Sequence, residues 1–467
     1  MWPTIFIAAY VLIALMIVIS LLLHGAKPSK TLAWLLAIFT IPVGGILLYL
    51  LLGRNRRKQK LLKLGKPLSI AQPKVYTPEE ISTANSYIKL QKLVHTNCGF
   101  PVTDDNELYL LKNGKMTFDA IFEALNGAQK RIHIQYYIFE DGELAERLLQ
   151  LFTKKIAHGV KIRMIYDGVG SFSLSKKYLK NLLEIGVDVY PFLPFKFGRF
   201  LRSINYRNHR KIITVDGRIG FTGGINISDK YLKGDPTLGN WNDMHLRIKG
   251  TAAMHLDYVF TTDWYLVSQE KIALLPLANT LLNGKGKRVQ IVSSGPDDDF
   301  PSVKQAYFSI INTASEYLYI TNPYIIPNAP MLQALQTLAL SGVDVRIMIS
   351  EKTDSTIVGW CVRSYFEAFL RAGVKIYLFP DGFLHSKIMI SDDAIVSIGT
   401  ANLDDRSFDQ NYEVNAIVYD KAFAKLLKDD FLQDSEICSV LTYAEYLKRP
   451  WPDKLKEGFG KVFSPVL

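Results

Sequence analysis

The chain has 467 residues, 48% hydrophobic and 21% charged, too long for one ordinary core and too apolar for a disordered polymer. A net charge of +11, from 55 Lys+Arg against 44 Asp+Glu, favours an anionic partner such as lipid headgroups, nucleic acid or phosphorylated substrates without choosing among them. Cys98, Cys361 and Cys438 are odd in number and lack C-x-x-C spacing, which argues against a disulfide framework or a zinc site and for buried reduced thiols.

From Trp2 to Leu23, and again from Thr31 to Leu52, no side chain is charged. Each run of 22 residues meets the roughly 20 that a helix needs to cross hydrocarbon, and the short link "HGAKPSK" (24–30) predicts a two-helix transmembrane hairpin. Pro42, Gly44 and Gly45 predict a kink or a close helix contact in the second span. "RNRRKQKLLKLGK" (54–66) carries seven Lys/Arg against two in the link, which places the body of the chain in the cytoplasm by the positive-inside rule. A cleaved signal peptide is disfavoured, since no cationic stretch precedes the first span. Residues 67 to about 105 read as a polar, Pro-containing linker with no evident core.

Beyond the linker the sequence repeats itself. "AQKRIHIQYYIF" (128–139) matches "ASEYLYITNPYII" (314–326), "GVKIRMIYD" (159–167) matches "GVDVRIMIS" (342–350), and "EIGVDVYPF" (184–192) matches "RAGVKIYLF" (371–379). In the last two pairs a glycine ends a helical stretch before an apolar strand, the punctuation of a mixed or parallel sheet covered by helices. With intervening helices at 116–130 and 330–342, the expectation is an α/β protein of two similar halves. The domain reading is a hairpin over 1–53, a basic segment and linker over 54–105, a first half over 106–280 and a second over 281–467.

Within each half stands one further repeated stretch, "NHRKIITVDGRIGFTGGIN" (208–226) and "LHSKIMISDDAIVSIGTAN" (384–402). Strand alternation puts His209 and Lys211 on one face, and His385 and Lys387 likewise. Asp216 begins a "DG" hairpin turn, and it and Asp392 are expected to brace the loop or the Lys more than to touch substrate. Gly223, Gly224, Gly399 and Thr400 are small enough for backbone to approach a ligand, and Asn226 and Asn402 add amide donors. Two Lys and two amides can hold a phosphodiester's charge without a metal or other cofactor. One neutral imidazole can then attack phosphorus while the other, protonated, supplies the leaving alcohol's proton. Asp243 and Glu413 follow the two motifs at matched positions and suit the orientation of an imidazole.

H-x-K-x4-D-x6-G-[GST]-x-N, present twice, resembles the motif of the phospholipase D superfamily. "PSKTLAWLLAIFTIPVGGILLYLLLGRN" (28–55), "GGINISDKY", "NWNDMHLRIKG", "GTANLDDRSF" and "NYEVNA" are similar to bacterial cardiolipin synthases over nearly the whole chain. The resemblance implies two phospholipase D-like halves, each a mixed sheet flanked by helices. It implies a phosphatidyltransferase that joins two phosphatidylglycerol molecules into cardiolipin and releases glycerol at the bacterial inner membrane, with no nucleic acid as partner. His209, Lys211 and Asp216 fall on the first motif and His385, Lys387 and Asp392 on the second. Family practice makes His209 the nucleophile, with Asp243 behind it, and His385 the acid/base, with Glu413. Gln135 and Asn328 depart from the family's usual acidic residues and put details of the pocket rim in doubt. A phospholipase D-type hydrolase with water as acceptor, or another phosphatidyltransferase at the membrane, is the alternative; against a nuclease stands the lack of an aromatic-interleaved basic stripe, and a non-catalytic scaffold would show a decayed motif. His133 and the other histidines outside the motifs read as structural, Tyr136, Tyr137 and Tyr324 as core, and "EYLKRPWPDKLKEGF" (445–459) as a segment that either touches the bilayer or packs on the domain.

Overall fold

The computed structural model describes residues 2–24, 28–49, 87–194, 206–275 and 286–465. The basic run 54–66 and the linker up to residue 86 lie outside the described residues.

Helices Trp2–His24, Pro28–Thr40 and Pro42–Leu48 form one unit. The second expected span is broken at Ile41 because Pro42 has no amide hydrogen to continue the ladder. Gly45 lies where a Cβ would meet the Ala37 carbonyl at 2.1 Å, so the close contact anticipated from the glycines is made within this helix pair. Ala14, Ile17 and Leu21 bury against Ile38, Ile46 and Tyr49, while Val11, Leu12, Leu15 and Leu22 face outward. Several side chains of the first helix, Phe6 and Ile7 among them, are outside the description, and among the described residues no helix is long and apolar enough to cross a membrane. The two-span hairpin is therefore not established by the fold.

The other unit is built on one 16-stranded mixed sheet whose two ends mirror each other. In the first half Arg131–Tyr136, Lys161–Asp167 and Asp188–Phe192 run parallel, and Ile212–Val215, Ile219–Gly223 and Met244–Lys249 continue antiparallel. In the second, Tyr317–Thr321, Asp344–Ser350 and Lys375–Phe379 are the parallel set; Ile388–Ser391, Ile395–Gly399 and Asn411–Val418 are the antiparallel one. The halves join where Thr103–Lys112 pairs with Lys287–Ser294. The parallel strands are nearly continuous apolar runs because helices such as Glu143–Ala157 and Ala329–Leu340 cover them. Residues 88–98, read from sequence as linker, form a helix that buries Leu90 and Val94 in the second half's core.

The "DG" turn is as expected: Asp216 and Gly217 both have positive φ (53° and 67°), as do Asp392 and Asp393 (52° and 48°), the double left-handed geometry of a tight hairpin turn. The H-x-K tripeptides are not on the strand. Regular pairing begins only at Ile212 and Ile388, because the two residues before each histidine have paired elsewhere.

Candidate active site

Arg207–Asn208 adds in parallel to Asn411–Tyr412 of the second half, and Phe383–Leu384 adds to Trp241–Asn242 of the first. Each short strand ends by donating the histidine's own amide across: His209 N to the Tyr412 carbonyl at 2.9 Å, His385 N to the Asn242 carbonyl at 2.7 Å. The next residue on each receiving strand is the acid. His209 Nδ1 therefore lies 3.0 Å from both oxygens of Glu413, and His385 Nδ1 lies 2.7 Å from Asp243 Oδ2. This corrects the pairing expected from sequence order, in which Asp243 stood behind His209 and Glu413 behind His385: each imidazole is oriented by the opposite half.

Glu413 is an acceptor for the His209 ring, the Thr400 hydroxyl (2.5 Å) and the Asn411 amide (3.2 Å). With an acceptor on Nδ1, that nitrogen carries the proton and Nε2 keeps its lone pair. Burial raises the Glu413 pKa, but His209 and Lys211 outweigh it and hold the carboxyl below its ordinary value. Asp243 has fewer donors, its own neighbour Met244 N at 2.7 Å and the His385 ring, and burial pushes it up to about 7. Burial also lowers His209 to about 4, with Glu413 opposing and Lys211 adding to the fall; His385 is held well below 6.5 by burial, then by Lys387 and Lys211. Both rings are thus neutral near pH 7.

His209, His385, Asn226 and Asn402 line one cavity of about 330 Å³, together with Tyr137, Trp241, Arg207, Arg406, Lys230 and Asp404 among others. Tyr137 meets His209 edge-on at 4.9 Å, and Trp241 packs on His385 at 5.3 Å. Asn226 accepts from Ile138 N and donates to the Tyr231 hydroxyl, both at 3.2 Å. Among the described residues the buried Asn402 side-chain oxygen has no hydrogen-bond partner, and Asn402 lines the cavity. Lys211 and Lys387 are fully buried and do not line the cavity; each ammonium donates to the carbonyl of its own histidine. Burial depresses them to about 7 and about 8, with Glu413 and Asp243 respectively opposing most strongly.

The remaining motif residues serve the scaffold. Asp216 accepts the amides of Gln129, Lys130 and Arg131, and Asp392 those of Ser315, Glu316 and Tyr317, at 2.8–2.9 Å. Neither lines the cavity, so their placement among catalytic residues is corrected to the bracing that the turn suggested. Gly223, Gly224, Gly399 and Thr400 do not line it either. A Cβ at Gly224 would stand 2.1 Å from Asp243 Oδ1, and at Gly399 2.4 Å from Asn415 Oδ1; the small residues leave room for the next strand and its acid, not for ligand. Gln135 donates to Asn208 Oδ1 at 2.9 Å, and Asn328 caps a helix through Met331 N at 3.1 Å; both departures are structural. His133 is a core residue, 2.7 Å from Asp257. Tyr136 is core as expected, but Tyr137 and Tyr324 line the cavity. Arg207 and Trp241 were missed, although both sit beside motif residues on the exchanged strands.

Two neutral imidazoles with fixed tautomers, two buried ammonium groups and surrounding cations define a phosphodiester-transfer centre on a duplicated α/β fold. The fold is shared with phosphatidylserine synthase of Haemophilus influenzae Rd KW20, at a TM-score of 0.60 and 15% identity over 82% of this chain and 100% of that one. A family model described as cardiolipin synthase, PLD-like domain, matches residues 121–264 and 307–435, and one described as phospholipase D-nuclease N-terminal matches 10–54. A cardiolipin synthase of Geobacillus sp. (strain WCH70) is 40% identical over 95% of this chain and 90% of its own length. The major cardiolipin synthase ClsA of Bacillus subtilis (strain 168) is 36% identical over 98% of each. The chain belongs to the cardiolipin synthase family of the phospholipase D superfamily.

Proposed function

We propose that the cavity moves a phosphatidyl group from one phosphatidylglycerol to the glycerol head of a second, giving cardiolipin and free glycerol. In the first step His209 Nε2 attacks phosphorus, the P–O bond to the glycerol head breaks, and protonated His385 gives its proton to the departing oxygen. In the second, the acceptor's hydroxyl passes its proton to His385, its oxygen attacks phosphorus, and the N–P bond breaks. One phosphodiester replaces another, so no energy source is needed. Lys211 and Lys387 offset the charge on the phosphoryl oxygens, and the arriving anion opposes the burial and the two ammonium groups that otherwise keep His385 neutral. The observation that carries this reading is that both imidazoles face one cavity, each held by an acid of the other half.

The apolar N-terminal unit, which we read as a two-span hairpin over about 2–23 and 31–52, would keep the body at the surface where both lipid substrates lie. The basic run 54–66 supports a cytoplasmic body at the bacterial inner membrane, with catalytic halves over 106–280 and 281–467. Labelled phosphatidylglycerol in detergent micelles tests the reaction: cardiolipin and glycerol are expected, and phosphatidic acid as the main product would make the enzyme a hydrolase. His385→Ala should accumulate a phosphohistidine slowly and His209→Ala none; the reverse would exchange the two roles.

A further inference from the structure

We infer that the C-terminal helix Trp451–Val462 is a second lipid contact, a docking face for an anionic bilayer surface beside the cavity. Four large apolar side chains on it stand in solvent: Trp451, Leu455, Phe459 and Val462 are 73, 65, 53 and 73% exposed. At about 100° per residue they fall within an arc of about 80° on one face. The opposite face holds Glu457 and Gly460, which are buried. Glu457 accepts from the Tyr446 hydroxyl at 2.8 Å and Arg449 Nε at 2.9 Å, and a Cβ at Gly460 would meet Cys361 N at 2.7 Å. The helix is thus fixed by its inner face on helix Thr356–Arg363, and its apolar face is turned outward by packing.

The flanks decide what covers that face. Lys454 and Lys461 border the apolar arc on one side and Lys456 on the other. An apolar stripe edged by ammonium groups matches the boundary of an anionic bilayer, where acyl chains take the apolar residues and headgroup phosphates take the lysines. Val358, on the helix beneath, lines the cavity, so the docking face and the site share that helix. The contact lies outside the catalytic groups, and its test reads lipid proximity, which does not depend on the reaction assigned to the cavity.

The full chain, with its three cysteines replaced by serine, carries an environment-sensitive fluorophore at Leu455→Cys or, as control, at the exposed Leu426→Cys. It is reconstituted into vesicles of phosphatidylcholine alone or with an equal part of phosphatidylglycerol, both containing a lipid-borne quencher. Strong quenching at position 455 only in the phosphatidylglycerol vesicles, severalfold above position 426, is the expected result. Quenching at 455 no greater than at 426, or equal in the two vesicle types, overturns the inference. So does shielding of the 455 label from an aqueous quencher without lipid, which would mean that a second copy of the chain covers the helix. Leu455→Glu with Phe459→Glu should lower turnover on long-chain phosphatidylglycerol vesicles severalfold and leave turnover on monomeric short-chain phosphatidylglycerol unchanged; equal losses on both overturn it as well.

Discussion

Glu413→Gln tests the crossed arrangement most directly, because the altered residue is in one half and the histidine it serves is in the other. The carboxylate is fully buried and accepts from the His209 ring, Thr400 and Asn411. As the N–P bond forms, positive charge develops on the ring of His209, and a carboxylate 3.0 Å away stabilises it where a neutral amide does not. A charge-assisted hydrogen bond contributes about 1.5–3 kcal/mol, so adduct formation should slow by about 10- to 150-fold. Glu413 also raises the His209 pKa against burial, so its removal should leave that ring more strongly neutral. Rapid-quench measurement of the phosphohistidine gives the rate, and site-resolved carbethoxylation of the two histidines shows which ring has changed. A response confined to His385, with His209 untouched, would refute the crossed pairing and with it the geometry of the proposed mechanism.

Asp216→Ala removes the acceptor of three backbone amides and leaves alanine in a left-handed conformation, so stability should fall by about 2 kcal/mol while turnover per folded molecule is unchanged. Thermal unfolding beside the micelle assay checks this, and a large loss of turnover at unchanged stability would restore Asp216 to the catalytic set. His255 is buried with neither ring nitrogen partnered among the described residues, and burial lowers it to about 4. Its unfolded value is near 6.5, so the stability it permits is present above pH 6.5 and is lost as pH falls towards 4, by about 3 kcal/mol. His255→Leu should accordingly narrow the gap between unfolding midpoints at pH 7.5 and pH 4.5, and an unchanged gap would show that His255 is not the group titrating.

The duplication was readable because each half repeats the same punctuation, a glycine such as Gly159 or Gly342 before an apolar strand, and the sheet repeats the parallel and antiparallel sets in both halves. The motif histidines and asparagines stand out in the sequence for the same reason, since two copies of one spacing demand a shared cause, and all four line one cavity. What sequence could not supply was the partner of each ring. Order along the chain places Asp243 after His209, and only the two-residue strands Arg207–Asn208 and Phe383–Leu384 reverse that assignment. Strands that short carry no periodic signal, and strand alternation, which assumes an unbroken strand through the motif, takes the irregular stretch His209–Lys211 for pleat geometry. The glycines misled in another way. A small residue beside a site signals close approach, but not whether ligand or protein approaches, and here it is the Asp243 carboxylate.

The strand exchange also bears on why the enzyme needs both copies. If each half oriented its own histidine, a single half would keep a competent nucleophile and lose only its proton donor. As built, a lone first half would hold His209 without Glu413 and Asp243 without His385, an imidazole of undefined tautomer beside a carboxyl with no ring to receive. The two acids are not equal either: Thr400 and Asn411 donate to Glu413, whereas at the position matching Thr400 the first half has Gly224, against which the shorter Asp243 lies. In the proposed mechanism the better-supported carboxylate faces the ring on which charge accumulates, and the acid that burial lifts to about 7 faces the ring that takes up and releases a proton. Duplication supplied two similar sites, and the differences between Gly224 and Thr400 and between Asp243 and Glu413 suit them to the two roles that the proposed phosphoryl transfer assigns.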